Sequence, residues 1–153
     1  MTGAWPPVAS LLPHRGRAIL VEDVVALLDD GIECRGRIPP DAALAREGRV
    51  PSFVALELAA QAAAVLEALR RREPAGAAAS PRTGYLVSLR GVVMERPEIP
   101  VGAPLSVSLK SSGQSGGLGL YAAVVACEGL VCVRGVVGTF SPPAAPADAR
   151  QAS

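Results

Sequence analysis

One segment constrains the fold of this chain more than any other. The run from Phe53 to Leu66 reads F-V-A-L-E-L-A-A-Q-A-A-A-V-L and is apolar on every face of a helix except at Glu57 and Gln61. A helix that is apolar all round is a buried helix. Pro51, immediately before the run, suits the first turn of a helix. The pattern therefore predicts one long helix over residues 51–72, mostly buried, whose alanines let a sheet approach closely on several sides.

Six other segments have the character of strands. Residues 18–28 are rich in branched side chains, end at a strong turn signal and precede an alternating stretch at 32–38, so we predict that the two form a hairpin. Residues 41–50 lack periodicity and predict an irregular surface loop. Four more strands are predicted at 84–95, 104–110, 118–127 and 130–140. Their short linkers predict an antiparallel meander, and we expect it to form a single sheet curled round the helix.

Length and composition predict a single domain. A chain of 153 residues, half of them apolar, is long enough for one real core. We expect this domain to cover residues 1–141, with a flexible connection at 74–81 and a disordered tail at 142–153. Since the chain has few aromatic residues and a net charge of +1, nucleic acid is not expected as a partner.

The same reading argues against metal sites, disulfides and membrane spans. The three cysteines are odd in number and lack metal-ligand or C-x-x-C spacing, so they are predicted to be buried thiols. They are Cys34, Cys127 and Cys132. Residues 1–8 do not resemble a signal peptide, and no apolar stretch is long and unbroken enough to span a bilayer convincingly. A cytoplasmic protein without a membrane partner is therefore expected.

The polar positions of the predicted helix are the first candidates for a functional site. Glu57 and Gln61 are four residues apart and lie on one helix face. A carboxylate in an apolar interior needs hydrogen-bond partners, a higher proton affinity or a water-lined pocket. A solvated stripe is the alternative, but the same face continues through Ala64 and Ala68, so we favour a functional role. His14 is the one histidine of the sequence and the remaining candidate for acid–base chemistry near neutral pH.

The cations are arginines, apart from one lysine. A bias toward G and C in the coding sequence explains this preference. Four of these arginines also lie near the candidate site residues in the sequence and could dock an acidic carrier protein or its phosphopantetheine phosphate. They are Arg15, Arg17, Arg46 and Arg49.

Two motifs carry a family resemblance. Leu12-Pro13-His14-Arg15 precedes the first strand, and residues 51–61 read P-S-F-V-A-L-E-L-A-A-Q. Both resemble motifs of the thioester dehydratases of bacterial fatty-acid synthesis, in which the helix pattern is Pro-Gly-x-x-x-x-Glu-x-x-Ala-Gln. The V-P-x-x-x-x-E start is closer to the aryl-polyene-type 3-hydroxyacyl-ACP dehydratase branch. The resemblance covers residues 11–140.

The resemblance implies a fold and a reaction. The fold is an α+β hotdog, an antiparallel sheet wrapped round one long central helix. The reaction is dehydration of a 3-hydroxyacyl thioester on the phosphopantetheine of acyl carrier protein, without a cofactor. Glu57 would be the acid and His14 the base, while helix N-terminal amides polarise the thioester carbonyl. Pro51, Ser52, Phe53 and Gln61 would bind the substrate. The family also implies a homodimer or a heterodimer with another hotdog protein, with an acyl tunnel near the interface.

The sequence departs from the family at two positions. The fatty-acid dehydratases carry a catalytic histidine in a Gly-His-Phe-Pro segment before the helix, and residues 42–50 contain no histidine. The family glycine at the helix start is Ser52 here. Two alternatives follow: a hotdog thioesterase in which Glu57 activates water, or a catalytically degenerate hotdog subunit that pairs with an active homologue.

Overall fold

A computed structural model describes residues 4–71 and 84–142. Within them lie one α-helix, eight strands and three short 3₁₀ turns at Val8–Ser10, Gly16–Ala18 and Ser52–Val54. The helix, α1, is Ala55–Arg70. The strands are β1 Val21–Leu27, β2 Gly31–Gly36, β3 Arg49–Pro51, β4 Tyr85–Met94, β5 Glu98–Pro100, β6 Leu105–Ser115, β7 Leu118–Cys127 and β8 Leu130–Phe140.

Six of the strands form one antiparallel sheet in the order β1-β2-β6-β7-β8-β4. The predicted hairpin of the first two strands is confirmed, with Val24 opposite Cys34. The predicted meander is correct for β6, β7 and β8 but wrong for β4, which pairs with β8 at the far edge of the sheet. The chain between β4 and β6 explains the difference, because it contains β5, a strand that was not predicted and that pairs with β3.

The helix packs against the inner face of the main sheet. It contacts β1, β2, β6, β7 and β8, and most of its side chains are buried. The approach is close: a Cβ at Gly36 would lie 2.2 Å from the Leu20 carbonyl oxygen and 2.7 Å from Leu58 Cδ1. Burying each large aliphatic side chain contributes about 1.5–3 kcal/mol relative to exposure. The predicted buried helix is therefore confirmed, and Gly36 makes the room that Leu58 needs.

The start of the helix differs from the prediction. Pro51 is the last residue of β3, and a 3₁₀ turn rather than α-helix follows it. Ser52 does not cap the helix: its N–H donates to the Pro97 carbonyl (3.0 Å), and its buried Oγ has no hydrogen-bond partner among the described residues. Arg72, the predicted last helical residue, lies outside the described residues. Ser52–Arg70 is also apolar and long enough to cross a membrane by length and composition, but two thirds of it is buried in the domain, which accounts for its apolar surface.

The strand β4 is apolar and exposed. It forms one edge of the main sheet, and its burial pattern shows no protected face. The exposed apolar side chains are Tyr85, Leu86, Val87, Leu89, Val92, Val93 and Met94. An edge strand of this length with free backbone groups is a template for pairing with another chain.

The remaining expectations concern cysteines and segments between elements. All three cysteines are free and buried, as predicted. The irregular loop at 41–50 is confirmed up to Arg49, where β3 begins. The expected flexible connection at 74–81 lies outside the described residues, and so does the expected tail apart from Pro142.

Candidate active site

The structure brings His14 and Glu57 together. His14 lies between the first two 3₁₀ turns, and Glu57 lies in the first turn of α1. His14 Nε2 is 3.4 Å from Glu57 Oε1, and the two side chains are 30% and 48% exposed. Glu57 is therefore accessible to solvent in the single chain, so it avoids the cost of a buried, unpaired carboxylate. The two predicted acid–base residues form one pair at the surface of the helix.

Gln61 fixes the helix to the start of β1. Its Oε1 accepts hydrogen bonds from the N–H groups of Leu20 (2.7 Å) and Val21 (3.4 Å), and its Nε2 donates to the Ala18 carbonyl (2.6 Å). The same Nε2 lies 3.4 Å from Glu57 Oε1. Gln61 is fully buried, and these contacts satisfy both ends of its amide. Gln61 therefore fixes the position of Glu57 relative to the segment that follows His14.

Arg15 fixes the loop that carries His14. One guanidinium nitrogen, Nη1, donates to the carbonyl oxygens of Leu12 and His14, both at 2.9 Å. These carbonyls lie on either side of Pro13, so the arginine ties the two ends of the Leu12–His14 segment. The Nδ1 atom of His14 is buried without a hydrogen-bond partner among the described residues. The imidazole is therefore positioned by its loop and by Glu57.

A cavity of about 210 Å³ opens beside this pair. Its walls come from the loop before β1, one face of α1 and the facing ends of β4 and β8. The lining residues are Pro13, His14, Glu57, Ala60, Gln61, Ala64, Gly84, Tyr85, Leu86 and Thr139. The walls are apolar apart from the His14–Glu57 pair, Gln61 and two hydroxyl groups. Such a pocket suits a largely apolar group with a polar reactive end.

Three predicted substrate-binding residues lie elsewhere. Pro51, Ser52 and Phe53 are not among the described residues that line this cavity. Phe53 is about half exposed and Ser52 is completely buried. Their role in binding stays a prediction.

The other predicted docking residues are exposed. Arg17 forms an ion pair with Asp41. Arg46 donates to the Ala45 carbonyl (3.1 Å), and Arg49 lies at the start of β3. An exposed ion pair is worth about 0–1 kcal/mol, so Arg17 could exchange Asp41 for another anion at little cost. Carrier-protein docking by the predicted arginines stays a prediction.

Sequence reasoning missed a second polar cluster, at the other end of α1. Glu67 Oε1 accepts from Tyr121 (2.7 Å) and Thr139 (3.1 Å), and its Oε2 accepts from Ser141 (3.0 Å). Burial, then the hydrogen bond from its hydroxyl to Glu67, raises the pKa of Tyr121 to about 12. Glu67 does not stand out in the sequence, because it lies near the charged end of the helix with Arg70 and Arg71. The three hydroxyls come from β7, β8 and the residue after β8, and nothing in their local sequence marks them.

The site chemistry is that of an acid–base pair. Within residues 4–71 and 84–142, no group of three or more His, Cys, Asp or Glu could hold a metal ion. An imidazole and a carboxyl at 3.4 Å can remove one proton from a bound molecule and deliver another. The cavity places both groups at one wall.

Comparison with known proteins identifies the relatives of this chain. The family model for ApeP-like proteins, described as ApeP dehydratase, matches residues 6–151. No curated protein sequence matches significantly. Among solved structures, the dehydratase heterocomplex ApeI:P from Xenorhabdus doucetiae is similar, with 25% identity, a TM-score of 0.80 and coverage of 98% of this chain and 100% of that chain.

Two thioesterase structures share the fold alone. A mutant of thioesterase PA1618 from Pseudomonas aeruginosa has 9% identity and a TM-score of 0.58, covering 81% of this chain and 82% of that chain. A hypothetical thioesterase with coenzyme A from Streptococcus pneumoniae TIGR4 has 10% identity and a TM-score of 0.56, covering 81% and 88%. Together with the sheet wrapped round α1, these matches confirm the expected hotdog fold.

Proposed function

The chain belongs to the ApeP-like dehydratase family, and from that membership we propose that it dehydrates a 3-hydroxyacyl thioester carried on acyl carrier protein. The observation that carries the proposal is the contact of His14 with Glu57 at the wall of the cavity. Dehydration needs a base for the proton at C2 and an acid for the hydroxyl at C3. The pair supplies both groups within one chain.

The proposed reaction needs no cofactor. His14 removes the C2 proton, the electron pair of that C–H bond forms the C2–C3 double bond, and the C3–O bond breaks. Glu57, in its protonated form, gives its proton to the departing hydroxyl, which leaves as water. The proton on His14 then returns to Glu57 across their 3.4 Å contact, so that the pair starts the next turnover unchanged. The product is a trans-2-enoyl thioester.

The proposed substrate carrier is acyl carrier protein. Its phosphopantetheine arm would bring the thioester to the open side of the cavity, where Glu57 is accessible to solvent. Exposed guanidinium groups suit an acidic carrier and its phosphate. Of the predicted docking residues, Arg46 lies just before β3, Arg49 is the first residue of β3, and Arg17 lies near the His14 loop.

We also propose that a second hotdog chain pairs with the exposed edge strand β4. The support is the row of exposed apolar side chains along this edge, together with the heterocomplex formed by the similar dehydratase ApeI:P. Tyr85 and Leu86 of β4 line the cavity, so a chain on this edge would also cover one side of the site. A tunnel closed in this way would exclude water from the reaction.

Product analysis tests the proposed function. The purified protein, alone and mixed with candidate hotdog partner proteins, is incubated with 3-hydroxyacyl-ACP and followed by mass spectrometry. Loss of one water from the acyl group is expected. Release of the free acid would instead show a thioesterase, and activity that survives loss of both His14 and Glu57 in a mixed complex would show a degenerate subunit.

A further inference from the structure

The cluster around Glu67 has no part in the proposed dehydration, yet it touches the reaction cavity. Thr139 lines the same cavity as Glu57, and its hydroxyl donates to Glu67 Oε1 at 3.1 Å. Thr139 is almost fully buried. The cluster therefore fixes one wall of the cavity.

This wall lies at the end of the cavity remote from the acid–base pair. Along α1 the cavity is lined first by Glu57 and then by Ala60 and Ala64. Glu67 comes ten positions after Glu57, which corresponds to roughly 15 Å at the rise of an α-helix. Since Thr139 is hydrogen-bonded to Glu67, an acyl chain that extends from Glu57 past the two alanines ends against Thr139.

A second and larger cavity lies on the other side of this wall. It has a volume of about 390 Å³ and is lined by Glu67 and Ser141, whose hydroxyl donates to Glu67 Oε2 at 3.0 Å. Gly84 lines the first cavity, and a Cβ there would lie 3.4 Å from Ser141 Oγ. Thr139 and Ser141, both held by one carboxylate, thus separate the two spaces.

The second cavity suits an alkyl chain less well than the first. Its lining includes the charged or amide side chains of Glu67, Arg70, Arg71 and Gln114, together with the hairpin residues 115–119, among them Leu118. An alkyl chain that entered would take water away from these charged and amide groups without replacing their hydrogen bonds, which is costly. The wall formed by Thr139 and Ser141 therefore limits the length of the acyl chain in two ways: Thr139 occupies the volume at its end, and the space behind Thr139 is polar.

We infer that Thr139, held in place by Glu67, determines the length of the acyl chain that the cavity at Glu57 accepts. The inference rests on the proposed function, since it takes the cavity as the acyl site. Thr139 is a specificity-determining residue in this account, and Glu67 is a positioning residue that acts through it.

Binding of unreactive acyl groups tests the inference without turnover. Acyl-pantetheine amides of increasing chain length, from butanoyl to tetradecanoyl, are titrated into the full-length protein by calorimetry. For the wild type, affinity rises with each methylene up to a limit and then stops rising. Thr139→Ala should move this limit to longer chains, with an affinity gain of roughly fourfold for each additional methylene buried. Affinity for chains below the limit should stay unchanged.

Matched variants separate volume from hydrogen bonding. Thr139→Val keeps the volume but loses the hydrogen bond to Glu67, so it should move the limit only slightly, as Glu67→Gln should. Thr139→Ser keeps the hydroxyl, loses the methyl and should move the limit partway even if the alanine variant folds poorly. Glu67→Gln replaces an acceptor oxygen by a donor and should relax the limit by a smaller amount. Three results would overturn the inference. They are the same length limit in the wild type, Thr139→Ala and Thr139→Ser; a shift in Thr139→Val as large as that in Thr139→Ala; or no affinity of the wild type for acyl groups.

The same proteins distinguish this inference from the proposed function. Assays with 3-hydroxyacyl-ACP of two lengths are run in parallel with the titrations. A length limit that moves with Thr139 in a protein that forms no enoyl product would contradict only the dehydratase proposal. Dehydration with the same length preference in wild type and Thr139→Ala would contradict only the length inference.

Discussion

The contact between His14 and Glu57 restricts the protonation state in which the proposed dehydration can occur. The reactive form carries one proton on the pair, located on Glu57. A pair in which both groups carry a proton has no base, and a pair in which neither group carries a proton has no acid. The two residues therefore act as a unit in the proposed reaction.

The first prediction concerns Glu57. Glu57→Gln keeps the size of the side chain and its ability to contact Gln61, but it removes the ionisable proton. We expect kcat for dehydration to fall by about 10²–10⁴-fold, the usual contribution of a general acid. Thermal unfolding should be unchanged, because Glu57 is half exposed and Gln61 makes the contacts that hold the segment. A variant with the wild-type rate on a substrate that the native protein dehydrates would exclude Glu57 as the acid.

The second prediction concerns stability in alkali. Burial raises the pKa of the Cys34 thiol from 9.0 to about 12. Above pH 9 the unfolded chain loses this proton while the folded chain keeps it, so stability is fully present below pH 9 and is lost as the pH rises toward 12. Each such group contributes a slope of about 1.4 kcal/mol per pH unit. Urea unfolding on either side of pH 9 measures the slope.

A valine provides the comparison for Cys34. Cys34→Val has a similar volume and suits a strand, but it has no thiol to ionise. We expect a shallower loss of stability in this variant and not its complete absence, since burial also raises the pKa of Cys127. Equal slopes in wild type and variant would show that the folded protein does not hold the Cys34 thiol neutral.

Among the elements, the long helix could be predicted from sequence and the strand order could not. The apolar run in α1 and the alternation in β2 are local signals, so they can be recognised without knowledge of the rest of the fold. The place of β4 depends on pairing with β8, whose paired residues lie 39 to 55 positions later, and β3 and β5 have only three residues each. Such short strands, which contain proline, carry no period that a sequence could reveal.

The candidate site divides in the same way. Glu57 and Gln61 were predicted because a polar residue is conspicuous in an apolar helix. His14 was predicted because it is the one histidine of the sequence. The cluster around Glu67 was not predicted, because serine, threonine and tyrosine are ordinary strand residues. What joins them is a shared acceptor on the helix, and this becomes apparent only in three dimensions.

The third prediction concerns the contact of α1 with β2. Gly36→Ala places a Cβ 2.2 Å from the Leu20 carbonyl oxygen and 2.7 Å from Leu58 Cδ1. Because a backbone atom has to move, we expect a destabilisation of about 1–3 kcal/mol or more. Gly113→Ala is the control, since no heavy atom lies within 4 Å of its added Cβ. Chemical denaturation of both variants measures the difference, and equal stabilities would show that helix and sheet do not meet closely at Gly36.

At the scale of the whole molecule, the two edges of the main sheet differ in character. One edge is β1, and the other is β4 with its row of exposed apolar side chains. The apolar side chains at the β4 edge are exposed in the single chain. Burial of such side chains is the main driving force of association. Assembly with a second hotdog chain should therefore depend on β4.

The fourth prediction tests this dependence. Leu89→Lys introduces a charge on β4, and we expect the dissociation constant of the dimer or mixed complex to rise by about tenfold or more, from the loss of one buried leucine. Val25→Lys on β1 is the matched control, since Val25 is equally exposed at the opposite edge. Light scattering over a range of concentrations measures both. Association that is insensitive to Leu89→Lys would place the interface elsewhere.

Because both proposed reacting groups lie on one polypeptide, covalent labelling can count the sites in an assembly. If His14 and Glu57 carry the reaction, each copy of this chain brings one complete set of reacting groups, whatever its partner. A covalent inactivator that reacts with the Glu57 carboxyl would then label a heterodimer once, on this chain, and a homodimer twice. The stoichiometry of labelling would equal the number of these chains in the assembly, and a partner that had lost its own reacting groups would leave that number unchanged.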